Sequence, residues 1–197
     1  MRVIEFAGMP RSGKTTALEI MESVLKKERK RIRVLYEGAR ISPLDKSDRY
    51  NYNAWSFHNT VNRILEARLD GYDFILVDRG VLDHAAFLEA IANECQGKDI
   101  GLTQKYYLGF LGIQDSEILF DVDPQEAIRR EGKNKPFLGR VFSYPFLQFL
   151  QESYISMGGK VERNGREIMR IDGNLPFERN LKKIVDLAYQ LCSGNKL

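Results

Sequence analysis

The residues Gly8-Met9-Pro10-Arg11-Ser12-Gly13-Lys14-Thr15 set two glycines, a lysine and a hydroxyl in the pattern G-x-x-x-x-G-K-[ST]. Glycines let the backbone curl until successive N–H groups and a helix N-terminus converge on one anion, so this segment reads as a phosphate-binding loop, or P-loop. In such a loop Lys14 reaches the β- and γ-phosphates of ATP, and the Thr15 hydroxyl binds the magnesium that accompanies them. Gly8, Arg11, Ser12 and Gly13 complete the cradle, and Thr16 repeats the hydroxyl. The same cradle serves motors, switches, kinases and synthases, so it fixes the ligand class and not the reaction.

Charged pairs elsewhere narrow the reaction. Glu37 and Arg40 are separated by two small residues, Asp78 is followed by Arg79, and Asp172 by Gly173 and Asn174. Asp78 comes after Phe74-Ile75-Leu76-Val77, where a magnesium-ordering acid at the end of a buried strand belongs. Arg79 is suited either to hold a phosphate or to fix a neighbouring carboxylate. Glu37 can accept the proton of an attacking hydroxyl while Lys14, magnesium and arginines neutralise the transferring phosphoryl group. Its plainer alternative is an ion pair with Arg40, and Asp78 is the rival candidate for the base. A last basic segment holds Arg129, Arg130, Lys133 and Lys135, punctuated by Gly132 and stopped by Pro136. It reads as a lid, spanning about residues 129–140, that closes over phosphates, or as a solvated helix end favoured by its own dipole.

These residues need a scaffold that gathers strand ends. Val3 to Ala7, Arg31 to Tyr36, Phe74 to Val77, Glu117 to Val122 and Glu167 to Asp172 have the composition of strands, the third nearly all apolar as if covered on both faces. Helical patterns fill the gaps: Thr16 to Lys27, Ala54 to Leu69, Leu82 to Glu94, Thr103 to Leu111, Pro124 to Gly132, Val141 to Met157 and Pro176 to Cys192. Strands joined by helical crossovers predict an α/β fold with a five-stranded parallel sheet and helices on both faces. Ligands in such a sheet collect at the carboxyl ends of the strands, where every charged pair named above falls.

At 197 residues the chain fits one domain able to bury a core without metal or disulfide support. Its 30 Lys+Arg against 27 Asp+Glu give a net charge of +3, too small to argue for nucleic acid. No run approaches the length of a membrane span, and Met1-Arg2-Val3 leads straight into a strand, so the expectation is a soluble cytoplasmic protein with no membrane partner. Cys95 and Cys192 sit in apolar helical contexts and are expected as free thiols. His58 and His84 lack partners at metal-ligand spacing.

The P-loop, the Asp78-Arg79 pair, the Asp123-Pro124-Gln125-Glu126-Ala127-Ile128-Arg129-Arg130 approach to the lid and the Ile171-Asp172-Gly173 turn resemble the thymidylate kinase and deoxynucleoside kinase group. The resemblance runs in order over nearly the whole chain. It implies a single kinase domain with the three-layer P-loop NTPase fold, ATP and Mg2+, and transfer of the γ-phosphoryl group to a nucleoside or nucleoside monophosphate. It further implies that Arg129 and Arg130 clamp phosphates and that Asp172 to Asn174 lie beside adenine. Thymidylate kinases usually carry Arg-Glu-Pro-Gly-Gly where this chain has Tyr36-Glu37-Gly38-Ala39-Arg40, and an aromatic where it has Gly80. Glu-Gly-Ala-Arg is also similar to the Glu-Tyr-Ala-Arg of nicotinamide riboside kinases, which leaves the acceptor open.

On the acceptor side the candidates are Glu37, Arg40, Arg79 and Trp55, whose ring either stacks a base or packs in the core together with Phe57; Tyr50, Tyr52 and His58 lie nearby, where they could stack on or hydrogen-bond an acceptor. The reading is a small-molecule kinase using ATP and magnesium, with a nucleoside or nucleotide as partner and a homodimer as candidate assembly. Its rival is a nucleotide-dependent switch or ATPase module that acts on a partner. Nucleic-acid processing is disfavoured by the charge.

Overall fold

The computed structural model describes residues 1–38, 41–132 and 142–193. Its centre is β1 (Arg2–Gly8), buried from Val3 onward. β3 (Phe74–Asp78) pairs with one edge of β1 and β4 (Ser116–Asp121) with the other, while β2 (Ile32–Leu35) and β5 (Ile168–Asp172) flank these. All pairings are parallel and the order is β2-β3-β1-β4-β5. The register sets Asp78 opposite Phe6 and Gly8 opposite Phe120. The P-loop and the Asp78-Arg79 pair therefore leave neighbouring strands at the same end of the sheet.

Side-chain alternation along β1 divides the core in two. Ile4 and Phe6 pack with α1 (Lys14–Lys27) and α7 (Phe177–Cys192), whose Ile184, Leu187, Ala188 and Leu191 complete that layer. On the opposite face lie α2 (Arg49–Leu69), α3 (Val81–Ala90), α4 (Ile100–Leu108) and α6 (Tyr144–Arg163), while α5 (Pro124–Gly132) follows β4 toward the open end. Glu5 points to this second face. No helix among the described residues is long and apolar enough to cross a membrane.

Four helices differ from the sequence expectation; α4 starts and ends three residues early, the Asp99 side chain capping it by accepting from the Leu102 N–H at 2.8 Å. α2 starts at Arg49 rather than Ala54 because the Asp48 side chain caps it, accepting from the Asn51 N–H at 3.2 Å. α3 stops at Ala90, and Ala92–Glu94 form a separate tight turn. α6 runs six residues past Met157, through Gly158-Gly159, because packing holds it. A Cβ on Gly158 would stand 3.1 Å from an Arg170 nitrogen and 3.5 Å from Ile168, so the glycine lets β5 approach. Val141, the expected start of that helix, lies outside the described residues.

Gly8 shows how tightly the loop is built onto the sheet. Its φ is 138°, and a Cβ there would sit 2.5 Å from the Phe120 carbonyl oxygen of β4. Gly8→Ala is expected to destabilise the protein by at least about 1–3 kcal/mol, read as a lower urea midpoint at unchanged slope.

Candidate active site

Between β1 and α1 the P-loop curls through left-handed backbone at Arg11 (φ 62°) and Gly13 (φ 101°). Lys14 is buried at its centre, where its Nζ donates to the Gly8 and Met9 carbonyls at 2.7 and 2.8 Å and lies 3.5 Å from Ser12 Oγ. Burial lowers its pKa to about 8; Arg79 adds to the shift, and Asp83, Asp78 and Glu37 oppose it. Thr15 Oγ1 donates to Asp78 Oδ2 at 3.1 Å. Asp78 Oδ1, although buried, has no hydrogen-bond partner, and burial pushes this carboxyl up against the pull of Lys14 and Arg79. A hydroxyl beside an unclaimed carboxylate oxygen is the donor set a hard divalent cation takes, so Thr15 and Asp78 fit magnesium. Arg11, Ser12, Thr15, Thr16, Glu37 and Arg130 line the cavity over the loop, about 600 Å³ in volume.

Arg79 follows β3 in left-handed conformation (φ 67°), its N–H bound to the Phe6 carbonyl. Its Nε lies 3.2 Å from Glu37 Oε2, and its Nη1 donates to Asp83 Oδ1 at 2.7 Å. Asp83 Oδ2 in turn accepts from the Gly8 N–H at 3.1 Å and from Tyr154 Oη at 2.8 Å. The two carboxylates hold the Arg79 pKa well above its ordinary value despite burial, and Arg79 foremost keeps Asp83 below the usual carboxylate range. Glu37 thus pairs with Arg79; Arg40, the partner considered from sequence, lies outside the described residues. Asp83 went unread in the sequence although it stands four residues after Arg79, the ordinary helical spacing for an ion pair. Tyr154 carries no local signal, since it arrives from α6.

Beyond Glu37 and Arg79 a second cavity of about 460 Å³ opens, walled by Tyr52, Asn53 and Ser56 of α2 and Asp83, His84 and Phe87 of α3. His84 Nδ1 is 3.1 Å from Asn53 Oδ1 and its Nε2 is 3.3 Å from Thr60 Oγ1. Burial drives the imidazole down to about 4, so it is neutral at pH 7. Ser56 Oγ is buried with no protein partner. Trp55 does not line this cavity; its ring lies 3.8 Å from the position of a Cβ on Gly38, so helical phase gives the cavity its neighbours Tyr52, Asn53 and Ser56 instead. Phe57 is core, stacked on Tyr107 at 3.8 Å.

On α5 the two arginines diverge. Arg130 donates to the Arg11 carbonyl at 3.1 Å and the Gly173 carbonyl at 2.7 Å, and it lines the loop cavity. Arg129 turns outward, 57% exposed, and binds Glu126 in a fork at 2.5 and 2.6 Å. That fork, with help from Arg130 and against burial, lowers the Glu126 carboxyl to about 2. Glu131, buried and unread in the sequence, pairs with Arg11. Lys133, Lys135 and the rest of the expected lid lie outside the described residues. Arg130→Ala is therefore expected to weaken ATP binding severalfold, while Arg129→Ala leaves it within about twofold, as exposed pairs generally contribute little; titration of both variants with ATP checks this.

A third cavity, about 220 Å³, continues past Ser12, Gly13 and Arg130 between Phe120, Gly173 and Phe177. Gly173 is held by its N–H to the Asp121 carbonyl at 2.6 Å, and a Cβ on it would meet that same oxygen at 2.8 Å. Asp172 does not line the cavity; it accepts from the Asn174 N–H and Nδ2, both at 2.9 Å, and so closes the turn.

No protein-family model and no curated protein matches the sequence. Solved structures do. Deoxyadenosine kinase from M. mycoides with bound dATP superposes on 96% of this chain and 100% of its own, with TM-score 0.72 and 17% identity. Deoxyadenosine kinase from M. mycoides with products dCMP and a flexible dCDP bound covers 98% and 99%, with TM-score 0.71 and 16% identity. The chain thus has the α/β P-loop fold of these deoxyadenosine kinases, with five parallel strands and helices on both faces.

Proposed function

We propose that this protein is an ATP- and magnesium-dependent kinase that phosphorylates a hydroxyl group of a nucleoside. One observation carries the reading: Glu37 and Arg79 line both the P-loop cavity and the second cavity, whereas Asp78 lines only the first. A carboxylate on the boundary between donor phosphates and acceptor can take the proton of an attacking hydroxyl, and Arg79 orients it. Asp78 and Thr15 instead hold magnesium, which when bound neutralises phosphate oxygens. Lys14 and Arg130 add positive charge where it develops on the transferring group. The apolar third cavity suits the donor base.

A neutral acceptor is favoured over a phosphate because, among the described residues, the guanidinium groups of the second cavity are engaged, with Lys46 the further cation on its wall. Arg79 pairs with Glu37 and Asp83, Arg49 with Glu94 at 3.1 Å, and Arg11 with Glu131. Ser56, with a hydroxyl free for a ligand, fits the hydrogen-bonding edge of a nucleobase, while His84, engaged through both ring nitrogens, adds an uncharged wall.

The test is ADP release from magnesium-ATP across nucleosides, nucleoside monophosphates and nicotinamide riboside, with Lys14→Ala as blank. Stimulation by nucleosides is the expected result. Stimulation by monophosphates alone moves the protein to the nucleotide kinases, and a flat panel with tight ATP binding makes it a nucleotide-dependent switch.

A further inference from the structure

Glu5 is a fully buried carboxylate in the middle of the central strand, and nothing in the phosphoryl-transfer scheme above uses it. Burial pushes its pKa up to about 7 against the pull of its hydrogen-bond donors, and a carboxyl in such a place is tolerated only when donors surround it. Its Oε1 accepts from the Gly80 N–H at 2.9 Å and the Asp83 N–H at 2.8 Å, and its Oε2 from the Leu82 N–H at 3.0 Å. Gln114, in the segment leading into β4, donates its amide to Glu5 Oε2 and accepts the remaining Val81 N–H at 2.8 Å. The backbone donors that open α3, which a helix leaves unpaired at its N-terminus, are all claimed by this one carboxylate and one amide.

The clamp also accounts for Gly80. A Cβ at that position would stand 2.7 Å from Glu5 Cδ and 2.8 Å from Gln114 Oε1, so any side chain following Arg79 here must displace the clamp. The turn held in this way presents Arg79 on one side of Gly80 and Asp83 on the other; Asp83 grips Arg79, and Arg79 grips Glu37.

We infer that Glu5 is a positioning residue for transfer: with Gln114 it fixes the start of α3 so that Asp83 anchors Arg79 and Arg79 holds Glu37 toward the acceptor. The inference rests on the kinase reading given above, and its test separates the two.

Glu5→Gln keeps the volume but replaces one acceptor oxygen with an amide that cannot accept, and Gly80→Ala disturbs the same contact from the other side. Each is expected to lower kcat about 10- to 100-fold, as sub-ångström misplacement of a catalytic group does, while the KM for ATP stays within about twofold. In the double variant the losses should not multiply, because both act on one contact. Trp55, the only tryptophan, packs beside Gly38 and should change its emission in both single variants.

Variants that melt at lower temperature but keep wild-type kcat per folded molecule would make Glu5 a structural cap only and overturn the inference. If Glu5→Gln does not fold, Gly80→Ala decides by the same readouts. A wild-type protein inert toward every nucleoside overturns the kinase reading instead; the clamp then stands or falls on Trp55 emission, which is unchanged in the variants if Glu5 does not hold the Glu37 segment.

Discussion

Glu37→Gln is expected to lower kcat by about 10²–10⁴-fold, the usual worth of a positioned general base, with ATP affinity within about twofold of wild type. The substitution is nearly isosteric, and its carbonyl oxygen can still accept from Arg79 Nε, so the geometry around Arg79 survives while the proton acceptor is lost. Asp78→Asn provides the contrast. It removes a carboxylate that already receives the Thr15 hydroxyl, so its effect should appear as a raised magnesium requirement. Steady-state rates across a magnesium titration distinguish them. Turnover retained by Glu37→Gln and lost at every magnesium concentration in Asp78→Asn would move the base to Asp78.

Lys14→Ala is expected to reduce transfer by at least about 10²–10³-fold, the cost of removing one charged donor from a preorganised oxyanion site. The wild type should show the same dependence through pH. Burial lowers the Lys14 pKa to about 8 from 10.5, so the ammonium that phosphates require is present below pH 8 and lost above it. ATP affinity should then fall toward about tenfold per pH unit above 8, and Lys14→Ala should flatten that limb. Folding runs in the opposite sense. The unfolded chain keeps this proton up to 10.5, so Lys14's contribution to stability rises from pH 8 to 10.5 and is lost again as pH falls through 8. Calorimetric ATP titrations at pH 7, 8 and 9 measure the first effect.

What could be read from the sequence was contiguous. The P-loop is a single run, Asp78 and Arg79 are adjacent, and buried parallel strands such as Phe74–Asp78 announce themselves by unbroken apolar character. What could not be read was assembled across the fold. Glu5 looks like an interruption in an apolar strand until α3 and Gln114 are seen to surround it. Asp83 looks like an ordinary helix acid until Gly8 and Tyr154 donate to it. Trp55 and Arg129 drew notice by residue type, yet helical phase decides what faces a cavity, and it favours Tyr52, Asn53, Ser56 and Arg130. Gly80, a departure from the thymidylate kinase pattern, has its reason in a residue 75 positions away.

The buried carboxylate of the central strand also bears on how the chain folds. With α3 undocked, the Glu5 carboxyl of β1 would lose the backbone donors that offset its burial, and without β1 the first amides of α3 would lack their acceptor. Each half of the molecule therefore stabilises the other, which ties the P-loop side and the acceptor side into one cooperative unit. The amide protons of Gly80, Leu82 and Asp83 would exchange with solvent only as the whole protein unfolds, although they sit at the end of a short helix, where fraying is the rule.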